Sequence, residues 1–141
     1  MYFPGKIGAL SAIFAILGTA AAAKPVVYDC ALKDHTGDGW VAPRIVISFE
    51  EGADTAIVID GIIVTVNKAP IVAKLTVRDK NSYKLNWAID NLPVGNANTK
   101  ERAQYVGVLN TKKMTLSVKA YLSYFDNTPR GSGKCTILKK K

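Results

Sequence analysis

Four stretches of this chain alternate apolar and polar residues with a period of two, and that pattern constrains the fold more than anything else in it. Ile45, Ile47 and Phe49 share one parity against Arg44 and Ser48. Ala73, Leu75 and Val77 oppose Lys74, Thr76 and Arg78. Leu85, Trp87 and Ile89 oppose Lys84 and Asn86, and Met114, Leu116, Val118 and Ala120 oppose Lys113, Thr115, Ser117 and Lys119. Successive side chains of a strand point to opposite faces, so half-buried antiparallel strands write this alternation into a sequence. Val, Ile, Thr and Tyr are dense, and turn residues interrupt the runs at short intervals. Strands are predicted over 26–33, 41–49, 55–59, 62–66, 71–78, 82–89, 103–109, 114–121 and 133–138. No window carries a 3.6-residue apolar period. The fold class is all-β: a single small antiparallel barrel or a two-sheet sandwich of about eight strands.

The turns have their own chemistry. Asp60-Gly61 between two β-branched runs reads as a two-residue hairpin, since Gly accepts the positive φ that such turns need. Asp79-Lys80-Asn81 and Asn110-Thr111-Lys112 read as further hairpin connections. Ile57-Val58-Ile59 and Ile62-Ile63-Val64 are apolar on both parities, which predicts a hairpin that is central or covered on both sides. The longest irregular piece runs from Asp90 to Arg102, with one helical turn at Thr99–Arg102.

The first 23 residues read as a secretory signal peptide. Lys6 precedes the apolar run Ile7–Leu17, and small residues end at Ala21-Ala22-Ala23 before Lys24. Eleven apolar residues are too few for a helix to span a bilayer, which needs roughly 20. Cleavage leaves residues 24–141 as one domain, expected to be soluble and periplasmic or secreted. Cys30 and Cys135, the only cysteines, lie near the two ends of that domain. In an oxidising compartment they are expected to form one disulfide that closes the chain end to end and brings its first and last strands together.

Candidate sites are few. Asp34-His35-Thr36-Gly37-Asp38-Gly39-Trp40 spaces its oxygens like the first half of a calcium loop, but Ile45 stands where the bidentate Glu belongs. An exposed Asp- and Gly-rich turn is the simpler reading. His35 is the only histidine, and both thiols are assigned to the bridge, so neither a nucleophile–base pair nor a zinc site is marked. No metal, no cofactor and no catalytic residue is expected. Without Lys6, 18 basic residues face 11 acidic ones. Lys74, Arg78, Lys84, Lys113 and Lys119 occupy the polar parity of their strands and form a candidate basic face. Such a face suits an acidic protein or an anionic component of the cell envelope, and no nucleic acid. Tyr121, Tyr124 and Phe125 place aromatics at the mouth of the loop that runs on to Arg130, so Tyr124 and Phe125 are candidate loop contacts. Trp40 and Trp87 are assigned to the core.

The Cys30 strand, Trp40, Asp60-Gly61 and the closing Gly131-Ser132-Gly133-Lys134-Cys135 together resemble a group of short exported proteins of unknown function from alphaproteobacteria. That resemblance covers nearly all of residues 24–141 and implies no activity. A looser similarity is to the periplasmic inhibitors of c-type lysozyme, small β-barrels with an aromatic-x-Cys start, here Tyr28-Asp29-Cys30. Those proteins insert a loop carrying Ser, Gly, Lys and Tyr into the lysozyme cleft. The nearest counterpart is Ser132-Gly133-Lys134, which makes Ser132 and Lys134 candidate loop contacts, although it runs straight into Cys135. The leading expectation is an exported, non-enzymatic binding module; the second is an inhibitor of a cell-wall-active enzyme such as lysozyme.

Overall fold

A computed structural model describes residues 24–94, 99–123 and 126–139. The segment read as a signal peptide lies outside them, as do residues 95–98, Tyr124, Phe125, Lys140 and Lys141. Eight strands run in order: β1 (Val26–Asp34), β2 (Arg44–Phe49), β3 (Thr55–Asp60), β4 (Ile71–Asp79), β5 (Ser82–Pro93), β6 (Lys100–Asn110), β7 (Thr115–Leu122) and β8 (Arg130–Leu138). One helix, α1 (Gly61–Asn67), connects β3 to β4. Each strand pairs antiparallel with its sequence neighbours, and β1 pairs with β8, so the sheet is a closed barrel rather than a sandwich. Closure leaves no strand edge to template aggregation.

The alternation becomes inside and outside. Ile45, Ile47, Leu85, Trp87, Ile89, Leu116, Val118 and Ala120 all point inward and join one buried core with Val58, Ala73, Ala103, Tyr105 and Leu109. A barrel of about eight strands has an interior just wide enough for its own side chains, and here large residues occupy it. Trp87 stacks on Tyr105 with ring centroids 5.5 Å apart. Gly107 supplies the space for that indole: a Cβ there would sit 3.3 Å from Trp87 Cζ3.

The barrel is sealed where it begins and ends. Cys30 faces Cys135 in register across β1 and β8, their Cα atoms 3.9 Å apart, and the two are disulfide-bonded. The Cys135 N–H donates to Met114 O on the β7 side, so the bridge spans a position at which the β1–β8 ladder has no hydrogen bond to lose. Both cysteines are buried.

Four expectations are corrected. Residues 62–66 are helical, not a strand, and Asp60-Gly61 is a helix start, not a hairpin turn. The Asp60 carboxylate accepts the Ile63 N–H at 2.8 Å, and Lys68 ends the helix in the left-handed conformation (φ 63°), its N–H bonded to Val64 O. Tertiary packing overrides the β-branched composition, because Ile62, Ile63 and Val66 fall on one helical face and pack into the core at the barrel end. Second, β3 pairs directly with β4, and its outer face is not covered: Ile57 is 44% exposed beside Val72. Third, Val77 keeps the inward parity of Leu75 but is 64% exposed, because β4 runs out of the core there, next to the register shift between Val77 and Asp79. Fourth, Lys100–Arg102 belong to β6 and not to a helical turn.

Candidate functional site

An up-and-down barrel sorts its connections by end. The β2–β3, β4–β5 and β6–β7 turns sit at one end with the start of β1 and the end of β8, while the 35–43 loop, α1 and the tip of β5 gather at the other. At this second end, α1 packs on β3 and β5 and plugs the barrel with Ile63, which is fully buried. Between the plug, the 35–43 loop and the tip of β5 lies an open cleft of about 700 Å³. Trp40, Ile62, Val66, Leu92 and Val94 make its apolar walls, and Asp38 and Thr65 are the polar groups at its margin. Small-molecule sites commonly measure 300–1,000 Å³, carry apolar linings with a few polar groups, and occur in barrel mouths.

The wall made by Trp40 is held from two sides. Asp34 Oδ1 accepts the N–H groups of Thr36 and Gly37, each at 3.1 Å, and Oδ2 accepts that of Gly39 at 2.9 Å. Burial pushes the Asp34 carboxyl up, but the three N–H groups together outweigh it and leave its pKa below the ordinary value. The calcium-like spacing is therefore a self-capped turn, with the first would-be ligand turned onto its own backbone. Gly37 and Gly39, both at positive φ, permit that turn. From the other side, Tyr105 Oη reaches out of the core and donates to Trp40 O at 2.8 Å. Burial raises the Tyr105 pKa, with the charge of nearby Asp60 adding to it, so the phenol stays a donor at any ordinary pH. Asp60 is itself buried; desolvation raises its carboxyl against the pull of the Ile63 and Ile62 N–H groups. Tyr105 thus links the barrel core to the loop at Trp40, and Asp60 caps the start of α1.

The sequence-predicted residues are distributed as follows. Ser132 and Lys134 stand within β8, paired on both sides to β1 and β7, not on a loop. The aromatic contacts Tyr124 and Phe125 fall outside the described residues. The basic face divides in two. Lys74, Arg78 and Lys84 lie outward on β4 and β5, whereas Lys119 is outward on β7 and Lys113 lies in the turn before it, with β6 between the groups. On β6 the outward cation Arg102 is turned to Asp90 at 3.6 Å.

One pairing was not foreseen. His35 Nε2 lies 2.7 Å from Ser132 Oγ, joining the β1–β2 loop to the wall of β8. A nucleophile–base pair also needs a group orienting the second imidazole nitrogen, and the adjacent carboxylate, Asp34, is committed to its own turn. The bond reads as a tether. Among the described residues no group of three His, Cys, Asp or Glu side chains gathers to hold a metal.

The cleft itself was legible only in part. Trp40 and the Asp-Gly turn stand out in the sequence, but Ile62 and Val66 join them only because 61–67 is a helix. The signal that marks the helix is Asp60 as an N-cap, with Asn67, Lys68 and Pro70 closing the segment. No family model, curated protein or solved structure matches this chain.

Proposed function

We propose that this chain is an exported, non-enzymatic binding module that takes the apolar body of a small amphipathic molecule in its helix-plugged mouth. The observation that carries this reading is the cleft of about 700 Å³ walled by Trp40, Ile62, Val66, Leu92 and Val94. The core beneath it is filled with side chains, so the ligand lies across the mouth and not inside the barrel. Asp38 at the margin and the indole of Trp40 both favour a neutral or cationic polar end over an anionic one. The leader-like first 23 residues and the disulfide support export.

N-Phenyl-1-naphthylamine, a neutral apolar dye, is a direct probe. The indole N–H of Trp87 has no hydrogen-bond partner among the described residues, so Trp87→Phe should fold and leave Trp40 as the sole indole. In that background the dye is expected to quench Trp40 saturably at one equivalent. Thr65→Phe, which fills the cleft from an exposed helix position without adding an indole, should abolish the effect. Quenching that never saturates, or that survives Thr65→Phe, overturns the reading.

A further inference from the structure

The outer wall centred on β8 carries a second surface, on the opposite side of the barrel from β4. Lys119 on β7 and Arg130 on β8 are directly opposed in register, and both point outward and are exposed. Like charges directly opposite one another on a sheet are destabilising. Among the described residues neither cation lies within salt-bridge distance of a carboxylate. Lys134 lies four residues further along β8, and Lys33 on β1 faces Ser132 between the two. These cations are likewise exposed and outside any ion pair among the described residues. Ser117 lies among them on β7, with Thr115 facing Lys134 and Thr136 just beyond it, while the Ser132 hydroxyl is held by His35. The two carboxylates of β1 are occupied. Asp29 holds Arg44 through two hydrogen bonds of 2.7 and 2.9 Å, and Asp34 holds its own turn.

We propose that this β1–β8–β7 wall docks on an anionic phospholipid surface, with Lys33, Lys119, Arg130 and Lys134 each reaching a headgroup phosphate. The cations spread over three strands about 4.8 Å apart and over roughly 13 Å of β8, a two-dimensional grid and not a track. A bilayer presents phosphates in two dimensions, whereas a linear polyanion presents a single row. The hydroxyls of Thr115, Ser117 and Thr136 donate to phosphate oxygens. Tyr121, outward on β7 two residues beyond Lys119 and 47% exposed, places an amphipathic ring at the rim. Tyr is enriched where membrane meets water. This surface is separate from the mouth cleft, and neither depends on the other.

The test is co-sedimentation of the purified protein with phosphatidylglycerol–phosphatidylcholine vesicles at low ionic strength. Lys119→Glu places opposite charges in register with Arg130, so it should hold or raise the melting temperature while it weakens vesicle binding. A surface of this kind gains roughly fivefold in partitioning per unit of positive charge, so this double-unit change should cost about 25-fold. Lys84→Glu, on β5 and off this wall, makes the same change in net charge and should leave most of the binding intact. Equal losses in the two variants would reduce the effect to net charge and overturn the proposal. So would absence of vesicle binding by the unaltered protein, or retention on heparin or polyglutamate without retention on vesicles.

Discussion

Gly133 lies so close to Ala31 across the β1–β8 seam that a Cβ on it would overlap the Ala31 carbonyl oxygen. Two residues away Gly131 has the same constraint, with Lys33 O and Val41 Cγ1 each 2.8 Å from where its Cβ would sit. The disulfide occupies the register pair two positions beyond Gly133. The chain therefore uses glycine to let its last strand approach its first, and a covalent bond to hold them there.

Gly133→Ala is expected to cost at least the 1–3 kcal/mol typical of overpacking, because the obstacle is backbone and cannot rotate away. Gly107→Ala meets only side chains, the edge of the Trp87 ring and Leu116 Cδ1, and should cost less. Urea unfolding followed by tryptophan fluorescence ranks the two. A milder effect at Gly133 than at Gly107 would contradict the tight seam.

Loss of the bridge should act mainly on the unfolded chain. Cys30 and Cys135 are 105 residues apart in sequence. For a loop of that size the chain-entropy model gives about 4–5 kcal/mol, and native bridges in small domains are commonly worth about 2–5 kcal/mol. The double variant Cys30→Ala/Cys135→Ala should retain the barrel's circular dichroism while its urea midpoint falls by a corresponding amount.

Asp60 predicts an unusual pH response. Its folded pKa is raised, so its contribution is fully present below the unfolded value near 4 and declines as pH rises through the folded value. Asp60→Asn keeps an N-cap acceptor without the buried charge. It should match the unaltered protein at low pH and become the more stable of the two as pH rises to neutrality. Asp60→Ala loses the cap and should be less stable by about 1 kcal/mol at acid pH, where the charge no longer complicates the comparison. Melting temperatures across that pH range separate the cases.

Asp34 has the opposite sign. Its pKa is lowered on folding, so its contribution is present above the unfolded value near 4 and is lost as pH falls through the folded one. Acidification, or Asp34→Ala at neutral pH, should release the Gly37 and Gly39 amides to hydrogen exchange before the barrel unfolds. Simultaneous loss of both would show that the turn is not held by this carboxylate.

Much of the barrel was written in the sequence because period-two alternation is a local signal. Leu85, Trp87 and Ile89 could be assigned inward without knowing any neighbour, and the paired cysteines identified the strands that meet. What escaped was non-local. Ile62-Ile63-Val64 carries strand composition, and only the open end of a barrel makes a plug there more favourable than a strand. Lys74 and Lys119 share an outward parity, yet the wall each belongs to depends on β6 lying between them. His35 and Ser132 lie 97 residues apart and meet only when β1 closes on β8. Strand parity is read one residue at a time; a site assembled from three loops needs the closed topology first.

The central claim is that the helix-plugged mouth is where this protein binds, and backbone amide spectra of the ¹⁵N-labelled protein titrated with N-phenyl-1-naphthylamine test it most directly. The account predicts shifts at Gly39, Trp40, Ile62, Thr65, Val66 and Leu92, with the core amides of Leu85, Gly107 and Leu116 unmoved. Shifts centred on those core amides, or on the turns at the opposite end, would contradict it.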